Sequence, residues 1–175
     1  KGIVLALGAV HELANAGYNV TLDIAGKGPL REHIRSEVVR LGLMERVRLL
    51  GMVPRPDLMK LYGQADLFVF PSLHDSSGNV VLESLSRGLP VVCLDLCGPK
   101  YYVTSECGAI VSTAGRSRAQ VEKGLATAIA EIIDSPERLR EMSCEALRQA
   151  ELQTWESRVF RAYELIGKTL SWSDG

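Results

Sequence analysis

Residues 71–92, PSLHDSSGNVVLESLSRGLPVV, hold the decisive pattern of this chain. Phe70-Pro71-Ser72 ends an apolar run, Ser76, Ser77 and Gly78 can turn sharply, and Gly78 to Arg87 reads as a helix closed by Gly88. Val91 to Leu94 (VVCL) then resumes an apolar, β-branched run. A strand, a small-residue elbow, a helix and a second strand in so short a span make a βαβ unit, because parallel strands need a crossover to join them. Two carboxylates, Asp75 and Glu83, flank the elbow.

Outward from this unit the alternation continues. Val20 to Ala25 (VTLDIA), Val47 to Leu50 (VRLL), Leu67 to Phe70 (LFVF) and Ala109 to Val111 are further strand-sized apolar runs, most of them ending at Gly, Pro or Asp. Helices are expected over roughly residues 2–16, 29–42, 56–65 and 79–87. The near-continuous apolar character of the runs predicts strands covered on both faces. The fold class is therefore α/β, a Rossmann-like doubly wound parallel sheet with helices on both faces. After about residue 117 the pattern is helical only: Val121, Leu125, Ile129 and Ile132 share one helical face, and Trp155, Val159, Tyr163, Ile166 and Leu170 another, with a new start at Pro136-Glu137 between them. These are extra C-terminal helices on the same domain.

At 175 residues and 46% hydrophobic, the chain reads as one domain over 1–175. Lys1-Gly2 runs directly into a helix, so the strand that should open the first βαβ unit is expected upstream of Lys1, in a longer polypeptide. Twenty Lys and Arg against 21 Asp and Glu leave a net charge of −1, which gives no global reason to bind nucleic acid or an anionic surface. No apolar stretch approaches the roughly 20 residues of a membrane span, and no secretory signal is visible at Lys1. Cys93, Cys97, Cys107 and Cys144 show no metal-ligand spacing and read as reduced thiols of a cytosolic protein.

In open α/β sheets, ligands bind outside the carboxyl ends of the strands, where helix N-termini present free N–H groups. Three stretches fall on that rim. "AGKGPL", residues 25–30, offers Gly26 and Gly28 either as a phosphate cradle or as a compact strand-to-helix turn, and Arg31 stands where a dinucleotide fingerprint needs a third glycine. At the elbow after Phe70, the amides of Asn79, Val80 and Val81 are candidate diphosphate donors, and Glu83, a turn further on, can accept from a ribose diol. Asp75 can meet a second hydroxylated group, although helix capping by Asp75 or Ser77 and a solvated Glu83 account for the same residues. "GPKYYV", residues 98–103, is a turn in which Lys100 either contacts phosphate or is solvated. His11 and His33 sit on solvated helices, His74 lies beside Asp75, and no triad, metal or nucleic-acid signature emerges.

Taken in order, Lys1-Gly2, Gly26-x-Gly28-Pro29, Leu50-Gly51-x-Val53, Tyr62-x-x-Ala65-Asp66-Leu67-Phe68-Val69-x-Pro71-Ser72, Gly78 to Glu83 and Gly88-Leu89-Pro90-Val91-Val92 resemble the C-terminal, donor-binding half of GT-B glycosyltransferases, most of all the retaining glycosyltransferase family 4 group. The resemblance runs from Lys1 to about residue 150. It implies a nucleoside-diphosphate-sugar donor, a UDP- or GDP-sugar, whose hexose or N-acetylhexosamine passes with retention to an acceptor hydroxyl in glycan or polysaccharide assembly. The family carries two glutamates separated by seven residues, and Asp75 and Glu83 occupy those places here, the first one methylene shorter. Ser76-Ser77 replaces the more usual Gly-aromatic pair.

The resemblance further implies that Glu83 holds the ribose hydroxyls, that Asp75 lies against the donor sugar, and that Ser77 and the backbone of Gly78, Asn79 and Val80 face sugar and diphosphate. Lys1 becomes a cation for the leaving diphosphate, Gly26 and Gly28 line the donor, and the loop around Gly51, Val53 and Pro54 flanks the base. Such cations and N–H groups stabilise charge developing on the leaving group, so no metal ion or cofactor is required. The implied partners are the polypeptide's own N-terminal GT-B domain and an acceptor glycan or lipid-linked glycan; a terminal helix returning toward that domain would leave Trp155 and Trp172 exposed, although ordinary core packing of Trp155 is the favoured reading. The implied location is the cytoplasm, peripheral to the inner membrane face through that domain. A sugar-nucleotide epimerase of the same architecture and a noncatalytic nucleotide-binding module remain alternatives.

Overall fold

The computed structural model describes residues 2–74, 78–96 and 98–170. Strands and helices follow the expected order: α1 (Ile3–Asn15), β1 (Leu22–Ala25), α2 (Arg31–Arg40), β2 (Val47–Gly51), α3 (Arg55–Gln64), β3 (Phe68–Phe70), α4 (Asn79–Leu85), β4 (Val91–Leu94), a 3-10 turn (Gly98–Tyr101), β5 (Gly108–Val111), α5 (Arg118–Ile133), α6 (Pro136–Leu152) and α7 (Trp155–Leu170). Local chemistry sets several of the helix ends. A capping box between Ser117 and Gln120 starts α5, and the Ser135 hydroxyl accepts from the Arg138 amide ahead of Pro136 in α6.

The strands pair in parallel, as the crossovers require, but in two pieces: β1 with β2, and β3-β4-β5. Helix α1 joins the pieces. Its Leu7 and Val10 pack with Ile34, Val38 and Val47 over β1 and β2, while Ala9 and Leu13 pack with Val92, Leu94, Val111 and the buried face of α5. That α5 face is the predicted one, Val121, Leu125, Ile129 and Ile132.

The three-stranded piece is sandwiched. Alternate side chains of β4 enter opposite clusters, Val92 and Leu94 toward α1 and α5, Val91 and Cys93 toward Val81 and Leu85 of α4 and Ala146 of α6. Burial pushes the Cys93 thiol up to about 12, so it behaves as a small apolar side chain.

One expectation is corrected here. β1 is not covered on both faces but alternates half-buried and exposed, with Asp23 on the open face forming a two-pronged ion pair with Arg48 of β2, its shorter-numbered oxygen 2.6 Å from Arg48 Nε. On the apolar face predicted for the last helix, Val159, Tyr163 and Ile166 of α7 are exposed, as is Phe160 near them. At the start of that helix, Arg158 lies 5.9 Å over the ring of Tyr102.

Candidate functional site

The rim forms where each parallel strand ends and the next helix begins. After β1, the Gly26 amide donates to the Gly51 carbonyl at 2.6 Å, so two of the glycines expected to line the donor are brought together at the ends of β1 and β2. Gly51 is buried with φ 69°, a conformation that favours glycine, and Nη1 of Arg31 lies 3.2 Å from the place a Cβ would take there. Gly28 is exposed and its carbonyl receives the Arg31 amide at 3.3 Å, which starts α2. Val53 is half-buried on the loop that enters α3, and Pro54 caps that helix.

On the other piece, β3 leads into the elbow. Gly78 is buried at φ 61°, and a Cβ on it would stand 3.1 Å from the Tyr102 ring and 3.4 Å from the Pro99 nitrogen. The 3-10 turn therefore packs directly against the start of α4. Gly2 lies close as well, because a Cβ there would overlap the Pro71 carbonyl oxygen at 1.8 Å, so the entry to α1 abuts the end of β3. The Val81 amide donates to the Gly78 carbonyl at 2.8 Å. This corrects the expectation of three open amides: Asn79 and Val80 are the two that find no acceptor among the described residues.

Glu83 projects from α4, half-buried at 28% exposure, and its Oε1 lies 3.1 Å from Nη2 of Arg55 at the first position of α3. The solvated Glu83 weighed from the sequence is thus replaced by a paired one. Tyr62, seven residues after Arg55 and on the same face of α3, is buried, and burial together with the Glu83 charge lifts its hydroxyl to about 12. Its ring meets Phe68 of β3 edge-on at 5.5 Å.

Arg31, Arg55 and Tyr62 were not expected as site residues. A cation at the first turn of a helix opposes the helix dipole, and Pro-Arg-Pro at residues 54–56 carries that signal in plain view.

Lys1, Asp75 and Ser77, expected at the leaving group, the sugar and the donor, lie outside the described residues, as do Ser76, Cys97, Trp172 and the side chain of Trp155. Lys100 is exposed and sits 5.4 Å over its neighbour Tyr101. His11 Nδ1 donates to the Leu41 carbonyl, 3.1 Å away, which ties α1 to the end of α2 and places it in the framework. His74 is exposed, and its carbonyl accepts from the buried Ser72 hydroxyl at 3.3 Å. Among the described residues no three His, Cys, Asp or Glu side chains gather as a metal set, and no helix is long and apolar enough to cross a membrane.

A parallel sheet with helices on both faces, a glycine-rich rim and trailing C-terminal helices is one half of a GT-B fold. Residues 1–149 match the family described as glycosyl transferases group 1, and the chain belongs to that family. It is 32% identical over 162 residues to the D-inositol 3-phosphate glycosyltransferase of Segniliparus rotundus, which covers 90% of this chain and 35% of that protein. It is likewise 32% identical over 151 residues to the lipopolysaccharide core biosynthesis glycosyltransferase LpsD of Rhizobium meliloti, covering 85% of this chain and 41% of that one. The chain thus spans little more than a third of the length of these relatives. In fold it superposes on the pneumococcal O-GlcNAc transferase GtfA, solved with UDP and GlcNAc, at a TM-score of 0.82 and 20% identity over 97% of this chain and 33% of that one.

Proposed function

We propose that this chain is the donor-binding half of a retaining, metal-independent glycosyltransferase of the family 4 type, acting in glycan or polysaccharide assembly. The observation that carries the reading is the placement of Glu83: a half-buried carboxylate on α4, little more than one turn from the left-handed Gly78, and paired with Arg55 at the start of α3, the helix that follows the Gly51–Pro54 loop. A carboxylate so placed accepts both hydroxyls of a ribose, while the amides of Asn79 and Val80, which have no acceptor among the described residues, would offer positive charge to a diphosphate. The loop from Gly51 through Val53 flanks the base. Lys1 and Asp75 take the leaving-group and sugar roles that the family resemblance gives them, and a UDP- or GDP-sugar supplies a hexose or N-acetylhexosamine.

In this reading the bond from the anomeric carbon to the diphosphate oxygen breaks as the acceptor oxygen bonds to the same face of that carbon, and the acceptor proton leaves with the departing phosphate or a base. Negative charge accumulates on the diphosphate, where cations and oriented amides bind the transition state more tightly than the ground state. No metal is needed for that task.

The strand expected upstream of Lys1 completes the sheet by pairing between β1 and β3, whose edges pair only with β2 and β4 among the described strands. An N-terminal domain then closes the cleft, holds the acceptor and covers the exposed face of α7, Phe160 and Tyr163 included. Location in the cytoplasm, peripheral to the membrane through that domain, belongs to the same reading.

Calorimetric titration of the full-length protein with UDP, GDP and ADP tests it. One nucleotide is expected to bind, and Glu83→Ala is expected to weaken it at least tenfold, about 1.4 kcal/mol. Unchanged affinity in Glu83→Ala would remove the ribose assignment.

A further inference from the structure

We propose that Arg55 is a positioning residue of the nucleotide site, holding the Glu83 carboxylate in the orientation that receives the donor ribose. The inference rests on the reading of Glu83 given above and adds a residue to it.

Arg55 has no local reason to be where it is. It occupies the first position of α3, between Pro54 and Pro56, where the dipole of the helix disfavours a cation. The nearest carboxylate in sequence, Asp57, is two residues along and does not face it; Asp57 pairs instead with Lys60 at 2.9 Å. Arg55 reaches out of its own helix to Glu83 on α4.

The geometry of the contact suits positioning. Nη2 stands 3.1 Å from Oε1, an ion pair that joins two helices and holds the carboxylate on the side of α3. Arg55 at 77% side-chain exposure and Glu83 at 28% leave the pair open to an approaching ligand. Buried Tyr62, a further two turns along the same face of α3, lies near enough to the carboxylate to feel its charge and is itself fixed against Phe68. Arg55 and Tyr62 together restrict a long, otherwise rotatable glutamate before any ligand arrives, which lowers the ordering cost of binding. Loss of Arg55 frees the carboxylate to turn into solvent, weakening the contact to the ribose diol while leaving contacts to phosphate and base in place.

The test compares a ribonucleotide with its 2′,3′-dideoxy analogue in the full-length protein, by calorimetry, using whichever of UDP, GDP and ADP binds the wild type. Arg55→Ala is expected to weaken the ribonucleotide about two- to fivefold, the range of an exposed ion pair, and to leave the dideoxy analogue unchanged. Arg55→Lys recovers part of the loss, and Arg55→Ala adds nothing in a Glu83→Ala background. The far-ultraviolet spectrum of each variant should match the wild type, since Arg55 is exposed.

Equal weakening of both nucleotides overturns the proposal, because Arg55 then touches phosphate or base directly. Tighter ribonucleotide binding in Arg55→Ala overturns it too, making Arg55 a competitor for Glu83. A different pattern marks failure of the underlying reading: Glu83→Ala binding both nucleotides like the wild type, or a wild type indifferent to the missing hydroxyls, removes the ribose site and the proposal with it.

Discussion

β4 and β1 are both four-residue strands in βα units, yet all of Val91–Leu94 is buried whereas Leu22–Ala25 alternates half-buried with exposed. The difference lies in what each strand has beside it. β4 is central in its sheet, with α1 and α5 on one face and α4 and α6 on the other, so either direction a side chain points leads into apolar surroundings. β1 is backed on one face by α1 and α2, and on the other it holds Asp23 and Arg48 paired in the open. One half of the domain is a platform packed on both faces and the other a flap packed on one, and the candidate site draws on both: Glu83 stands on the first, Gly51 on the second.

The contrast can be broken by unequal cores. Leu125→Ala, at 0% exposure beneath the three-stranded sheet, is expected to cost about 2–5 kcal/mol, while Leu22→Ala in half-buried β1 is expected to cost about 1–2. Urea unfolding of both variants checks this, and equal losses would erase the distinction between platform and flap.

The second comparison is between two rim glycines. Gly78→Ala forces a left-handed φ of 61° on a residue with a Cβ 3.1 Å from the Tyr102 ring, an expected loss of about 1–2 kcal/mol together with weaker nucleotide binding. Gly28→Ala, whose Cβ meets nothing within 4 Å and whose φ is not positive, is expected to stay within about 0.5 kcal/mol of the wild type. Thermal melts and nucleotide titrations of the pair separate a glycine that shapes the elbow from one that merely permits a turn.

The smallest effect concerns the hydrogen bonds that tie β4 to β5 at the rim. The Asp95 carboxylate accepts from the Thr113 hydroxyl at 2.7 Å, the Thr113 amide at 3.0 Å and the Ser112 hydroxyl at 3.0 Å, and these hold it below the usual carboxylate range. A depressed folded-state value stabilises the protein above the unfolded Asp value, about 3.9, and this contribution is lost as pH falls through the folded one. Asp95→Asn should therefore be less stable than the wild type at pH 7, with the gap closing on acidification below about pH 4. A gap that widens with acid would mean the carboxylate is strained rather than held.

Much of the fold was legible because it is written in local periodicity. Short β-branched runs ending at Gly or Pro, interleaved with helical patterns, predict parallel α/β architecture wherever they occur, and the buried face of α5 follows from spacing alone. The division of the sheet was not legible, since strand pairing depends on neighbours distant in sequence. Nor was the exposed face of α7: Tyr163 and Ile166 have the spacing of a core helix, and spacing does not say whether a partner is present. At the site, the sequence pointed to Glu83, Gly51 and Gly78 through turn chemistry and family pattern, and it passed over Arg55, whose carboxylate partner is on another helix.

The order of residues by itself determined which segments became strands, helices and tight turns, because those choices follow from backbone sterics, side-chain branching and apolar period within a few residues. Only the tertiary structure decided that the Gly26 amide meets the Gly51 carbonyl, that the Val81 amide is already used, and that Arg55 pairs with Glu83. Those are contacts between elements, set by how the helices pack on the sheet, and hydrogen bonds and ion pairs of that kind depend on separations of a few tenths of an ångström that no local pattern encodes.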